Sequence, residues 1–169
     1  MSSYISILKV LKMPLSVILS FVIAVVLAIA PLPEALIFFR PEWVVLLLIC
    51  WVLKFPFRVG FTAALLLGFF LDSLYNFPLG IHSLALILIV YLLIKLKRRF
   101  DFFSSWQKVA IIFGLVFLYE LPSLFYELAI LRPIDFRIYF IPVITSALIW
   151  PVIGLLLDVY CEKLNLQSG

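Results

Sequence analysis

The sequence is poor in charged residues. Asp, Glu, Lys and Arg make up 13% of its 169 residues, whereas soluble domains carry about 25%. Hydrophobic residues make up 66%, and the mean hydropathy is +1.27. This composition predicts an integral membrane protein. Six spans of about 20 residues would take roughly 120 residues, so we expect no soluble catalytic, nucleotide-binding or nucleic-acid-binding domain.

Residues that build common catalytic and metal sites are also scarce. The chain has one histidine and two cysteines, which argues against the usual zinc patterns of closely spaced Cys and His. Cys50 and Cys161 lie in or beside apolar runs and are expected to be packing residues. The sequence shows neither a Gly-rich phosphate loop nor a recognisable nucleophile motif. We therefore expect a protein that is not an enzyme and that needs no cofactor or metal ion.

Lysine and arginine are concentrated in alternate gaps between the apolar runs. Ten of them lie before the first run, in the second and fourth gaps, or after the last run: Lys9, Lys12, Lys54, Arg58, Lys95, Lys97, Arg98, Arg99, Lys108 and Lys163. The intervening gaps hold three, Arg40, Arg132 and Arg137. Because positive residues favour the cytoplasmic side of a membrane, this alternation predicts six transmembrane helices with both termini in the cytoplasm. The expected fold is an all-α integral membrane protein in which residues 1–169 form one transmembrane domain.

The apolar runs give the limits of the six predicted spans. They cover about residues 13–30, 43–53, 57–74, 81–94, 109–131 and 138–160. The segment 33–40 either lies in the outer membrane interface or extends the second span. Residues 95–108 are expected to form the longest cytoplasmic loop. The last two spans contain Pro122, Pro142 and Pro151, which neighbouring helices can accommodate in a membrane.

Two short segments repeat within the chain. Gly68 to Asp72 in the third span resembles Gly154 to Asp158 in the sixth. Either the similarity is a coincidence, or it records a duplication that would place Asp72 and Asp158 at opposite membrane faces. Both aspartates are interpreted as structural polar residues.

Ionisable residues inside membrane spans are the first candidates for function because they are costly there. Asp72 and His82 lie on either side of a short outer turn, where an Asp–His pair is plausible. The alternative is a hydrogen-bonded turn that pins two helices. Glu120 and Glu127 are seven residues apart in the fifth span and so share a helix face. Three roles stay open for them: a bond to an internal partner such as Tyr91, Tyr119 or Ser123, an interface with another protein, or proton-coupled transport.

Small residues at intervals of four predict close helix packing. Ser20, Ala24 and Ala28 form such a face in the first span, which packs either on another protein or on a neighbouring helix. Gly60, Ala64 and Gly68 form a second face, for which internal packing is expected.

The strongest cluster of positive charge lies after the fourth span. Lys95, Lys97, Arg98 and Arg99 would each attract anionic lipid by about 1 kcal/mol near the membrane surface. Alternatively, the cluster only fixes the topology, or it contacts an acidic cytoplasmic protein.

Motifs between residues 31 and 84 resemble the rod shape-determining protein MreD family. They are the step Arg40-Pro41-Glu42-Trp43 into the second span, Pro56-Phe57-Arg58-Val59, the segment from Gly68 to Asp72, and the turn Leu79-Gly80-Ile81-His82. Trp150-Pro151 matches a further motif in the last span. Cys50 departs from the family, which more often has Tyr before this Trp.

The resemblance implies a non-enzymatic scaffold of the cell-elongation complex in the bacterial inner membrane, which helps to direct lateral peptidoglycan synthesis and maintain rod shape. Its partners would be MreC directly, and MreB, RodA and a class B penicillin-binding transpeptidase in a larger complex. The interface candidates are Ala24, Ala28, Arg40, Pro41, Trp43, Gly80, His82, Glu120 and Glu127.

The family is also similar in fold to the S components of energy-coupling-factor transporters. This similarity implies an S-component-like bundle and leaves a second function open, a small-molecule (vitamin-like) binding subunit of a membrane transporter. A lipid-handling subunit is a third.

Overall fold

The structure is a computed structural model that describes residues 2–100 and 102–163. The side chains of residues 2–14, 34, 35, 57 and 58 lie outside this description. Three of the cations on which the topology prediction rests, Lys9, Lys12 and Arg58, are among them.

The described part of the chain forms α-helices joined by short connections, and it contains no strand. Its eight helices are α1 (Ser2–Ile29), α2 (Glu34–Ile37), α3 (Trp43–Lys54), α4 (Pro56–Val59), α5 (Phe61–Tyr75), α6 (Ile81–Phe100), α7 (Ser105–Ala129) and α8 (Phe136–Lys163). The predicted all-α class is confirmed. Within residues 33–40 the structure shows α2, a single turn separate from α3, so this segment does not extend the second span. Its position in the outer membrane interface stays a prediction.

Helix length supports some of the predicted spans more strongly than others. Among the described residues, α7 and α8 are long and apolar enough to cross a bilayer, while α3, α5 and the Leu15–Ile29 part of α1 are apolar but shorter. The 12 residues of α3 extend about 18 Å, less than a hydrocarbon core of about 30 Å. The prediction of six spans therefore stays a prediction.

The basic cluster after the fourth span is helical, so the loop predicted over residues 95–108 is wrong. Helix α6 continues to Phe100, and its last turn carries Lys97, Arg98 and Arg99. Positive charge is favourable there because the carbonyl end of a helix is electronegative. Helix α7 begins at Ser105 with a capping box, in which Ser104 Oγ accepts the Gln107 N–H and Gln107 Oε1 accepts the Ser104 N–H. The end of α6 and the start of α7 therefore both lie inside the predicted loop.

The short helix α3 is the centre of the bundle. It contacts α1, α4, α5, α6 and α8, and its side chains are buried on all sides. Both of its ends are tied to α8. The backbone N–H of Glu42 donates to Ser146 Oγ at 2.8 Å, and Lys54 forms an ion pair with Asp158. The start of α3 thus lies beside Ser146, and its end lies beside Asp158, which comes later in α8. Helices α3 and α8 therefore run parallel.

The small-residue face of α1 packs on α3 within the same chain. Ala24 and Ala28 are buried, and the indole N–H of Trp51 on α3 donates to Ser20 Oγ at 2.9 Å. Of the two alternatives for this face, the structure shows the neighbouring helix. Ala24 and Ala28 therefore present no surface to another protein in this structure.

Helices α5 and α6 approach each other closely at Gly68. A Cβ atom on this residue would lie 2.3 Å from Ser83 Cα and 2.5 Å from Ser83 N. Ala64, one turn earlier on the same face, is also completely buried. The internal packing expected for this face is confirmed.

The contact at Gly68 gives a first prediction. Gly68→Ala forces α6 away from α5, and overpacking of this kind costs about 1–3 kcal/mol. We expect a lower thermal unfolding temperature for purified Gly68→Ala in detergent, monitored by intrinsic fluorescence. The matched control is Gly114→Ala in α7, where an added Cβ meets nothing within 4 Å. Equal unfolding temperatures for the two variants would contradict this packing.

Candidate functional site

Helices α2, α5, α6, α7 and α8, together with the connection that leads into α3, line a cavity of about 320 Å³ at one end of the bundle. We call it the polar cavity. Its polar lining residues are Arg40, Glu42, Tyr75, His82, Tyr119, Glu120, Ser123, Glu127 and Tyr139. Helices α3, α6 and α8 begin at this end, and α5 and α7 end there. The cavity thus gathers polar residues from four helices and from the connection before α3.

The turn between α5 and α6 forms one wall of the polar cavity. Asn76 ends α5 in the left-handed conformation with φ of 57°, which asparagine tolerates better than most residues. The Phe77 N–H then donates to Asp72 O at 2.9 Å. Gly80 has a φ of 115°, which favours glycine. The predicted turn is confirmed, and it brings His82 back over the end of α5.

Asp72 is completely buried and holds this turn through three contacts. Its Oδ2 accepts the Gly80 N–H at 2.7 Å, and its Oδ1 accepts the His82 N–H at 2.9 Å. The His82 Nδ1 lies 2.7 Å from the same Oδ1. The structure therefore contains both the Asp–His pair and the hydrogen-bonded turn.

His82 connects the turn to α7. Its Nε2 lies 3.3 Å from Ser123 Oγ. An imidazole that donates from Nδ1 to Asp72 leaves Nε2 free to accept the Ser123 hydroxyl proton. The rings of Phe77 and Tyr119 pack on the imidazole with centroid distances of 5.1 and 5.5 Å. Since both ring nitrogens are engaged and the side chain is buried, His82 does not offer a surface to a partner.

The two glutamates of α7 face the polar cavity together, as their spacing predicted. Glu127 Oε2 accepts the Tyr139 hydroxyl proton at 2.6 Å, and Glu120 is buried. Tyr139 lies on α8 and was absent from the predicted internal partners. Of those partners, Ser123 lies beside His82 instead, and the ring of Tyr91 lies under Lys95 Nζ.

Arg40 and Glu42 close the cavity on the side of α3. Both terminal nitrogens of Arg40 donate to carbonyls that end α1, those of Ala28 and Ala30. A cation is favourable at the carbonyl end of a helix. Glu42 precedes α3, and burial raises the pKa of its carboxyl to about 7, although the nearby Arg40 opposes part of the rise. Sequence reasoning used Glu42 only as part of a motif and missed its place in the site.

The cavity has unused hydrogen-bonding capacity. Among the described side chains, the buried Tyr119 hydroxyl and Arg40 Nε lack a hydrogen-bond partner. An unmet buried polar group costs about 1–3 kcal/mol, so a polar group that entered the cavity would gain from pairing with them. The described residues include no group of three or more His, Cys, Asp or Glu placed to hold a metal ion. The arrangement is suited to binding a polar group.

The proposed interface residues differ in exposure. Ala24, Ala28, His82 and Glu120 are buried, and Arg40, Pro41, Trp43, Gly80 and Glu127 are partly buried. Large exposed apolar side chains at this end include Leu36, Ile37, Phe39, Leu79, Leu131 and Phe136. We call these six the apolar rim. Their exposure follows from loop and helix-end geometry, which the apolar runs alone did not indicate.

The second predicted structural aspartate, Asp158, lies at the other end of the bundle. It pairs with Lys54 at the end of α3, whereas Asp72 lies beside the polar cavity near the start of α3. The two aspartates thus occupy opposite ends, as the duplication hypothesis requires. The duplication itself stays a prediction.

Comparisons with known proteins agree on one family. The family described as rod shape-determining protein MreD matches residues 9–160. The protein named Rod shape-determining protein MreD from Haemophilus influenzae is 30% identical over 147 residues, which cover 87% of this chain and 91% of that protein. No solved structure matches significantly. The family match includes every residue that lines the polar cavity.

The contacts of Asp72 give a prediction for the turn. Asp72→Asn replaces one acceptor oxygen with a donor and leaves a buried backbone N–H unpaired, at a cost of about 1–3 kcal/mol. We expect a lower unfolding temperature in detergent. Asp135→Asn is the matched control, because Asp135 also accepts a backbone N–H but is exposed. A drop of the same size in the control would show that the Asp72 contacts are not specific.

The raised pKa of Glu42 gives a pH prediction. Its contribution to stability is fully present below the ordinary pKa of about 4.5 and is lost as the pH rises through about 7. The unfolding temperature of the wild-type protein should therefore fall over this window. Glu42→Gln mimics the protonated form and should reduce the fall, whereas Glu162→Gln, at an exposed position of α8, should not. If the unfolding temperature of Glu42→Gln falls with pH as steeply as that of the wild type, Glu42 is ionised over the whole window and the prediction is wrong.

Proposed function

The chain belongs to the rod shape-determining protein MreD family, and from that premise we propose that it is a non-enzymatic scaffold of the bacterial cell-elongation complex. Family membership and the apolar, all-helical chain establish a bacterial membrane protein with a role in rod shape. In our proposal it crosses the inner membrane six times as a single domain. It binds MreC directly and takes part in a larger complex with MreB, RodA and a class B penicillin-binding transpeptidase.

The distribution of charge between the two ends of the bundle supports this topology. At the end opposite the polar cavity, Lys54, Lys97 and Lys108 line a second cavity of about 660 Å³. We call it the basic groove. These lysines come from two gaps that the sequence assigned to the cytoplasm. The parallel course of α3 and α8 also agrees with second and sixth spans that both run inward. The polar cavity then faces outward.

The apolar rim supports a protein interface at the outward end. Leu79 at the tip of the α5–α6 turn is 70% exposed, and Phe39 in the connection before α3 is 56% exposed. A contiguous exposed apolar patch marks a protein or membrane interaction site, and in our proposal the rim side chains form such a patch. We propose that MreC covers this rim with the part of its chain that follows its membrane helix.

The main support for this proposal is the family match over residues 9–160. The test measures both cell shape and the recovery of MreC with the purified protein. The wild-type gene should restore rods in a bacterium that lacks its own family member, and tagged protein should co-purify MreC in mild detergent. Phe39→Ala/Leu79→Ala removes two rim side chains, and loss of interface anchors costs about 1–4 kcal/mol. We expect about tenfold less MreC with this variant and rounded cells.

Leu148→Ala is the control for that experiment, because Leu148 is equally exposed on α8 but lies away from the rim. It should behave as the wild type. If the double variant recovers MreC normally, the rim is not the interface. If the wild type restores rods without recovering MreC, direct binding is wrong.

The polar cavity favours a second candidate, a small-molecule binding subunit. Its volume of about 320 Å³ is at the lower end of ligand pockets, which span roughly 300–1,000 Å³. It also holds the unpartnered Tyr119 hydroxyl. A panel of water-soluble vitamins, tested without MreC, would distinguish this candidate through a concentration-dependent rise in unfolding temperature.

A further inference from the structure

The basic groove brings several lysines together. Orientation of the helices in a membrane does not require these lysines to lie close to one another. It lies between the ends of α3 and α6, the start of α7 and the second half of α8. Lys54, Lys97 and Lys108 are partly buried along it, whereas Lys95, Arg98 and Arg99 on α6 are exposed. Among the described basic residues of this end, three therefore line a cavity, whereas Lys95, Arg98, Arg99 and Lys163 are exposed and do not line it.

The charge in the groove is only partly neutralised. Among the described residues that line it, Asp158 is the only carboxylate, and it is 61% exposed and paired with Lys54. Lys108 Nζ lies 5.6 Å from the centre of the Phe100 ring. Lys97 and Lys108 thus give the groove a net charge of two positive units. An anion is the complementary ligand.

The start of α7 adds to this preference. Ser105, the first residue of this 25-residue helix, lines the groove. The free backbone N–H groups at a helix start carry a partial positive charge that attracts anions. The helix end and the lysines therefore line the same groove.

Part of the groove lining is apolar. Trp150, Pro151 and Leu155 of α8 contribute to it. Leu155 is exposed, and it continues into the exposed apolar face of α8 that includes Leu148 and Val152. A free inorganic anion would use only the lysines. A ligand with a charged head and a hydrocarbon chain would use both the lysines and the apolar residues.

Two exposed aromatic residues place the groove at the level of lipid headgroups. Phe102 and Trp106, in the connection before α7 and in its first turn, are 88% and 83% exposed. Trp and Tyr are enriched at the boundary between hydrocarbon and water, so Trp106 favours this level. In a membrane the groove would then open toward the headgroups of the leaflet on its own side.

We propose that the basic groove binds one anionic phospholipid of the surrounding membrane. Its phosphate-bearing headgroup contacts Lys97 and Lys108 beside the start of α7, and an acyl chain lies along Trp150 and Leu155 to the outer face of α8. This site differs from diffuse attraction of lipid to Lys95, Arg98 and Arg99, because it requires a defined cavity. The proposal depends on the chain being a membrane protein and does not depend on its binding MreC.

Lipid titration of the purified full chain tests the proposal. Dioleoylphosphatidylglycerol, added in detergent, should give a one-to-one adduct in native mass spectrometry and raise the unfolding temperature. Dioleoylphosphatidylcholine and inorganic phosphate should do neither. Lys97→Gln/Lys108→Gln should weaken phosphatidylglycerol binding about tenfold or more, because it removes two cations that contact the headgroup. Arg98→Gln/Arg99→Gln removes the same charge from exposed positions and should change binding about twofold at most.

A second pair of variants tests the cavity without a change in charge. Gly154 lines the groove, and an added Cβ there meets nothing within 4 Å, so Gly154→Leu should fold normally and fill the space. It should reduce phosphatidylglycerol binding, whereas Gly114→Leu, at an equally open site on α7, should not. Equal losses in the two charge variants, or full binding by Gly154→Leu, would overturn the proposal. Equal binding of phosphatidylcholine or inorganic phosphate would overturn it as well.

Discussion

The buried carboxylate of Asp72 fixes the geometry on which the candidate site depends. It binds two backbone N–H groups and one imidazole nitrogen, so a ten-residue stretch of chain is held by one side chain. His82 then transmits the position of this turn to Ser123 on α7. Without that carboxylate, the turn would have two buried backbone N–H groups with no partner. The position of His82 relative to Ser123 on α7 would then no longer be fixed.

The second constraint is the shortness of α3. A helix of 12 residues cannot bridge a full hydrocarbon core by itself, so its polar ends must be satisfied inside the protein. Glu42 and Lys54 meet this requirement through Ser146 and Asp158, which both lie on α8. Longer helices around α3 then cover its apolar sides. The central position of α3 follows from its length as much as from its hydrophobicity.

The sequence predicted the helices well because their limits are encoded locally. Pro41 and Trp43 indicated the start of α3, and the turn ending at Gly80 indicated the start of α6. Asp72 and His82 could be paired in advance because they flank the same turn. The contacts of Glu127 with Tyr139 and of Glu42 with Ser146 could not, since each joins two helices whose register no local pattern specifies. The loop after Lys95 was predicted too long because a run of charge was taken as the end of a helix, although such charge stabilises a last turn.

We propose two roles for the lysines at the end of the bundle opposite the polar cavity. Lysine near a membrane surface favours one orientation of a helix whatever its side chain contacts. That role needs no particular arrangement, and an exposed lysine such as Lys95 would be sufficient for it. Lys97 and Lys108, by contrast, line one groove with the start of α7 and apolar residues of α8. Orientation alone does not account for that convergence, whereas binding of a charged headgroup with an attached hydrocarbon chain does. The partly buried lysines of the groove are therefore the residues whose role beyond orientation the structure supports best.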